Sequence, residues 1–288
     1  MRHKQGDRVR HPRKPSWGVG LILESGQTDE VRVFFDGAGE KRLSSEYVEL
    51  EPVSGEAAHS QLLDHLRVEA GDTPKRFRSL AESIQFFLKE FPGGFAGERL
   101  HKEERDYKIK ARDLARQLLD ETELRQLLAD GRADEVCDRA MKIVNASNLI
   151  HQIEKMKLSD GLKNTEAQVA FATALAELLY GSGSDERRFT HFADVLEAMG
   201  AEKWTIATYF PFLLSPDRHM FLKPTVTQQA AEVCGFEISY AADLNFTTYS
   251  RVQEFARWLF KALTDEGLAP RDMIDVQSFI WCIAPGKY

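Results

Sequence analysis

Apolar side chains recur with period two along the first fifty residues, and with three- and four-residue spacing beyond residue 75. In VRVFF (31–35), Val31, Val33 and Phe35 share one face of a strand, and Arg32 and Phe34 share the other. GVGLILES is a second strand, opened by glycines that permit a tight bend or bulge. DGAG (36–39) is a turn cluster, and KRL followed by YVEL predicts two more short strands. Several short strands in so few residues cannot bury a core as a flat open sheet. Curling into a small barrel buries one face and removes exposed edges.

Residues 53–75 are expected to be an exit linker with one short helix, closed by the boundary signal Gly71-Asp72-Thr73-Pro74. SLAESIQFFLKEF (79–91) places Leu80, Ile84, Phe87 and Leu88 on one helical stripe and stops at Phe91-Pro92-Gly93-Gly94. ERLHKEERDYKIKARDLARQLLD (98–120) predicts one long charged helix with Leu100, Tyr107, Leu114, Leu118 and Leu119 as its sparse apolar face. Residues 165–181 open with a Thr165…Gln168 capping box, end at Gly181 and are apolar on most sides, as the central helix of a bundle would be. GSGS (181–184) separates a last region. There KWTIATYFPFLLSP is aromatic, β-leaning and interrupted by prolines, which predicts a short extended segment. Thr225…Gln228 and Ser250…Gln253 are further capping-box candidates, and Val252, Phe255, Leu259 and Leu263 form an apolar stripe.

The chain has 288 residues, 43% hydrophobic and 29% charged, the composition of a globular protein rather than a disordered one. No apolar run approaches the ~20 residues of a membrane helix. The basic start has no apolar run behind it, so no signal peptide is expected. Cys137, Cys234 and Cys282 are far apart and have no metal-ligand spacing, which predicts buried thiols in a reducing cytoplasm. Net charge is −7, yet the first fourteen residues hold six Lys or Arg against one Asp. The acidic excess lies late, with ten basic and 16 acidic side chains in 164–288. A local basic patch is therefore expected, not a uniformly basic surface.

GDRVRH, WGVG, VRVFFDGAGEKRL and YVELEPV, in that order, make residues 6–52 resemble a Tudor-like barrel of the kind appended to UvrD-type helicases. CarD-type transcription regulators and transcription-repair coupling factors carry a related barrel. The resemblance implies a docking module that contacts RNA polymerase, with related barrels contacting nucleic acid. The chain has no GxxxxGK[ST] loop, so no helicase motor accompanies it. NASNLIHQIEKMKLSDGL and PRDMIDVQSFIWCI are similar to segments of uncharacterised bacterial proteins encoded near restriction and phage-defence genes. The expected fold is thus multi-domain: a small all-β, SH3-like or Tudor-like barrel (1–52), a linker (53–75), a helical domain (76–181), and a mainly helical C-terminal domain (182–288).

Catalytic chemistry is not legible. The eight histidines show no HxxxH or HExxH spacing, and there is no GxSxG elbow, so no metal, cofactor or catalytic residue is expected. The enzyme alternative is a metal-dependent nuclease using Glu237, Asp272 and Asp275; Asp272 and Asp275 also suit a helix N-cap and its first turn. The candidate contact surface is Arg8, Arg10, Arg13, Lys14, Trp17, Arg32, Phe34, Lys41 and Arg42, a basic face with aromatics. Arg218, His219 and Lys223 in RHMFLKP form a secondary anion-contact candidate, with Met220 and Leu222 pointing inward. These features predict a cytoplasmic, non-catalytic adaptor. Its barrel would dock on DNA or RNA, on RNA polymerase or on another DNA-processing protein. Its acidic helical body would bind a further, unknown protein, and no membrane partner is expected.

Overall fold

The computed structural model describes residues 3–4, 6–25, 30–44, 48–60, 63, 79–284 and 288, in two units, Met1–Lys75 and Arg76–Tyr288. The period-two stretch of the first unit forms a curled antiparallel sheet of five strands: β1 (Arg8–Arg10), β2 (Val19–Ser25), β3 (Glu30–Phe35), β4 (Gly39–Ser44) and β5 (Glu51–Pro52), in the order β4-β3-β2-β1-β5. Of the YVEL strand, only Glu51–Pro52 just beyond it pairs, and Tyr47 lies outside the described residues. A shift of register between Ile22 and Glu24 bends β2. Val9, Ile22, Val33, Phe35 and Leu50 are buried on the concave side, with Trp17, Val31 and Leu43 packed against them. The expected phase of Val31, Val33 and Phe35 is therefore the one found. Of the linker, a 3-10 turn spans Gly55–Ala58, and the expected helix falls largely outside the described residues.

The second unit is helical. Its elements are α1 (Leu80–Glu90), a short turn α2 (Glu98–Leu100), a π-helical turn (His101–Arg105), α3 (Asp106–Leu118), α4 (Glu121–Ala129), α5 (Ala133–Asn145) and α6 (Gln152–Gly161). There follow α7 (Thr165–Tyr180), α8 (Asp185–Ala198), α9 (Trp204–Leu214), α10 (Pro224–Val233), α11 (Phe246–Asp265) and α12 (Met273–Ile283). One hydrophobic core runs from Ile84 to Ala284, crossing Gly181–Ser184 without a break.

Three local expectations are corrected. Residues 204–214 are helix rather than extended: α9 buries every residue from Trp204 to Leu213, so it has no polar face to reveal a helical period. Pro211 sits inside this helix, where Thr208 Oγ1 donates to the Trp204 carbonyl (2.7 Å) and accepts from Leu222 N–H (2.9 Å). α9 takes the central place expected of α7, whose Val169, Thr173 and Glu177 are exposed. The caps also shift. Asn164, not Thr165, accepts the N–H of Ala167; Asn245 caps α11, which leaves Ser250 inside it; and Thr225 lies within α10 after Lys223.

A buried ion network joins the start of this unit to its end. The π turn inserts an extra residue per turn and brings Glu104 and Arg105 inward together, next to the wholly buried Lys108. Arg105 forks onto Asp272 (2.7 Å to each oxygen) and reaches Asp275 (2.8 Å). Asp272 at the same time caps α12, accepting from the N–H groups of Ile274 and Asp275. Arg271 holds Asp275 from the other side (2.8 Å) and donates to the Phe95 carbonyl (2.7 Å). Lys108 donates to Glu104 (3.0 Å) and Ser278 (2.9 Å), and burial, partly offset by Glu104, pushes its ammonium down to about 8.

Removing Arg105 leaves Asp272 without its ion partner and the buried Asp275 with Arg271 alone. Arg105→Met is expected to cost on the order of 3–5 kcal/mol of stability, read as a lowered urea midpoint of the full chain. A change below about 1 kcal/mol would show that the network is dispensable.

Candidate interaction surface

Pro12 and Pro15 stiffen the loop after β1, which ends in a 3-10 turn at Pro15–Trp17. The next residue, Gly18, has φ +72°, and a Cβ there would lie 1.9 Å from Asp36 Oδ1, so only glycine fits. Asp36 and Gly37 of the β3–β4 turn donate their N–H groups to the carbonyls of Val19 (2.8 Å) and Trp17 (3.0 Å). These bonds fix Trp17 at the rim. Its half-buried ring meets Phe35 (5.2 Å between centroids) and His11 (4.8 Å), and Lys41 Nζ lies 5.7 Å from the ring centre. Trp17 and Lys41 thus close the core at one corner of the sheet.

The strand registers sort the remaining candidates. Arg8 pairs with Leu21, Leu21 with Phe34, and Arg10 with Val19, which places Arg8, Arg10 and Phe34 on the convex face. That face is not bare. Val19 and Leu21 form a second small cluster with Leu63, and Leu23 and Phe34 pack against it. Phe34 is half-buried there rather than offered to a base or a partner. Arg8 and Arg32 are half-buried beside it, and the side chain of Arg42, opposite Arg32 in the ladder, lies outside the described residues.

Among the described candidates of the β unit, Arg10, Arg13 and Lys14 are the exposed cations. Arg10 stands directly across the β1–β5 ladder from Glu51. Arg13 lines an open groove of about 380 Å³ whose other walls are Pro12, Val48, Glu49, Leu50, Glu51 and Pro52. The groove therefore pairs one arginine with two exposed carboxylates over an apolar and proline floor. Glu49 and Glu51 are the residues that the sequence reading missed. Their signal was local: Glu49 lies in the expected last strand YVEL and Glu51 just after it, on either side of Leu50.

The other candidates are engaged elsewhere. Asp272 and Asp275 hold Arg105 and Arg271, and Glu237 accepts from the N–H of Ser239 (2.6 Å). Met220 and Leu222 point inward as expected. The charged residues around them separate: Lys223 Nζ lies over Trp281 (4.3 Å), His219 bonds Tyr249, and Arg218 is exposed. Cys137 and Cys282 are buried and Cys234 half-buried, and burial pushes all three thiols up to about 12, which leaves them unreactive.

His11 supports the groove from beneath. Its ring is buried and Nδ1 accepts the N–H of Arg13 (3.1 Å). Burial, and then the charge of Arg13, hold it below the ordinary imidazole value of 6.5. Folding thus favours the neutral ring: its contribution is complete above about 6.5 and is lost as pH falls through the lower folded value. The expected NMR titration midpoint of His11 lies below 6.5, and His11→Asn, which keeps an acceptor for Arg13, removes that part of the acid sensitivity. A midpoint at or above 6.5 would contradict this account.

Residues 4–53 match a family described as a protein of unknown function (DUF3553). No curated protein matches the chain, and no solved structure does.

Proposed function

We propose that the chain is a non-catalytic adaptor whose N-terminal unit docks on a protein of the transcription or DNA-processing machinery. In this reading the curled sheet is a Tudor-like, SH3-like barrel, and the contact is the groove between the loop after β1 and the segment 48–52. The observation that carries it is the mixed lining of that groove: Arg13 against Glu49 and Glu51 over Val48, Leu50 and two prolines. A phosphate backbone would be attracted by Arg13 and Lys14 but repelled by the two carboxylates. A protein surface can answer both signs and cover the apolar floor, with the charges setting orientation. The acidic surplus of residues 164–288 suits the helical unit to a second, basic partner. Against the nuclease alternative, Asp272 and Asp275 already have arginine partners, so neither is left to hold a cation.

RNA polymerase is the first partner to test, with a DNA duplex in parallel across a salt series. The expected result is polymerase binding by the full chain that weakens at least tenfold, ~1.4 kcal/mol, in an Arg13→Glu, Glu51→Arg variant. Duplex binding that falls steeply with salt and is lost in Arg8→Glu, Arg10→Glu would instead place nucleic acid on the barrel and overturn the protein-docking reading.

A further inference from the structure

Tyr288, beyond the end of α12, is half-buried on the helical unit and is held at three points. Its hydroxyl donates to Glu104 Oε1 in the π turn (2.5 Å), and its ring makes a T-shaped contact with Phe91 (5.0 Å between centroids). The guanidinium carbon of Arg99 lies 5.9 Å from the centre of the same ring. Burial, reinforced by Glu104, raises the phenol far above its ordinary value, so the proton stays on the tyrosine. Each wall of this site has anchors of its own. Phe91 is buried and packs on Phe87 (5.6 Å). Arg99 donates to the Glu90 carbonyl (2.6 Å) and to Glu103 (2.9 Å), which hold it over the Phe91 ring (5.2 Å). The buried Glu104 gives one oxygen to Lys108 (3.0 Å) and the other to Tyr288.

We propose that Phe91, Arg99 and Glu104 form a binding site for a tyrosine side chain, in which Tyr288 is a displaceable occupant whose place is taken by an exposed tyrosine of a protein partner. The three contacts define the chemistry of the ligand. Phe91 and Arg99 select an aromatic ring. Glu104 selects a ring that carries a donor, because a buried carboxylate oxygen otherwise loses its hydrogen bond. Glu90, Glu103 and Glu104 together repel an anion, so a phosphotyrosine is rejected. The walls are already held in place, so little ordering is needed when a side chain enters. Tyr288 belongs to no helix or strand, and its departure breaks no backbone ladder. The site is independent of the N-terminal groove.

The test titrates N-acetyl-tyrosinamide into the full chain carrying Tyr288→Ala, read by NMR and by the melting temperature. Saturable binding that raises the melting temperature of the variant is expected. Binding to the parent is expected to be weaker by about tenfold or more, because its own tyrosine competes. N-acetyl-phenylalaninamide is expected to bind the variant about tenfold more weakly than the tyrosine analogue, the worth of one hydrogen bond to a charged group. The phosphate ester of the tyrosine analogue is expected not to bind. Tyr288→Phe keeps the ring and loses only the hydroxyl; its expected affinity for N-acetyl-tyrosinamide lies between those of the parent and Tyr288→Ala, and it carries the test if the alanine variant does not fold. No saturable binding to either variant, equal affinity for the tyrosine and phenylalanine analogues, or a phosphate ester that binds as tightly as the free phenol would overturn the proposal.

Discussion

Arg105 meets its two carboxylates at sequence separations of 167 and 170, and that meeting joins the start of the helical unit to its end. A guanidinium removed from water is tolerable only when its donors are answered in good geometry. Here Asp272 answers two of them and also caps α12, so the same carboxylate starts a helix and places it. Arg271 clamps Asp275 from outside and ties the segment to Phe95, so the end of the chain is fixed against α1 and the turn that follows it. Lys108 and Ser278 continue the polar seam one turn further along both helices. Hydrophobic burial supplies the driving force for this unit, whereas the ions specify which helix faces which.

The N-terminal unit is organised by scarcity instead. Among the described residues five are buried in the concave core, and Trp17 closes it where Gly18 lets the chain turn tightly beside Asp36. The convex face is used as well, with Leu63 covering Val19 and Leu21. Among the described residues the rim offers exposed groups for contact. There Arg13 and Lys14 stand on a proline-stiffened loop, and ordering such a loop on binding costs less entropy than ordering a flexible one.

Much of this was legible in the sequence where the cause was local. The alternation of Val31, Val33 and Phe35, the DGAG turn, the helix of residues 80–90, the inward Met220 and Leu222 and the capping role of Asp272 all follow from neighbouring residues. Other features depend on distant residues. Nothing near Asp272 points to Arg105, nothing near Phe34 points to Leu63, and only the strand register sets Arg10 against Glu51. α9 was misread because complete burial removes the polar face by which a helix is recognised, leaving its β-branched and aromatic residues to suggest a strand. The π turn was hidden in the same way, since one inserted residue in a charged helix leaves the overall pattern unchanged.

The central claim is that the β unit makes its partner contact at the rim, while Asp272 and Asp275 of the helical unit serve its folding. Hydrogen exchange of the full chain with and without RNA polymerase tests it most directly. The account predicts added protection in residues 10–14 and 48–52, with α12 and the π turn equally protected in both states. Protection confined to the convex strands β2 and β3, or to residues 271–278, would contradict it.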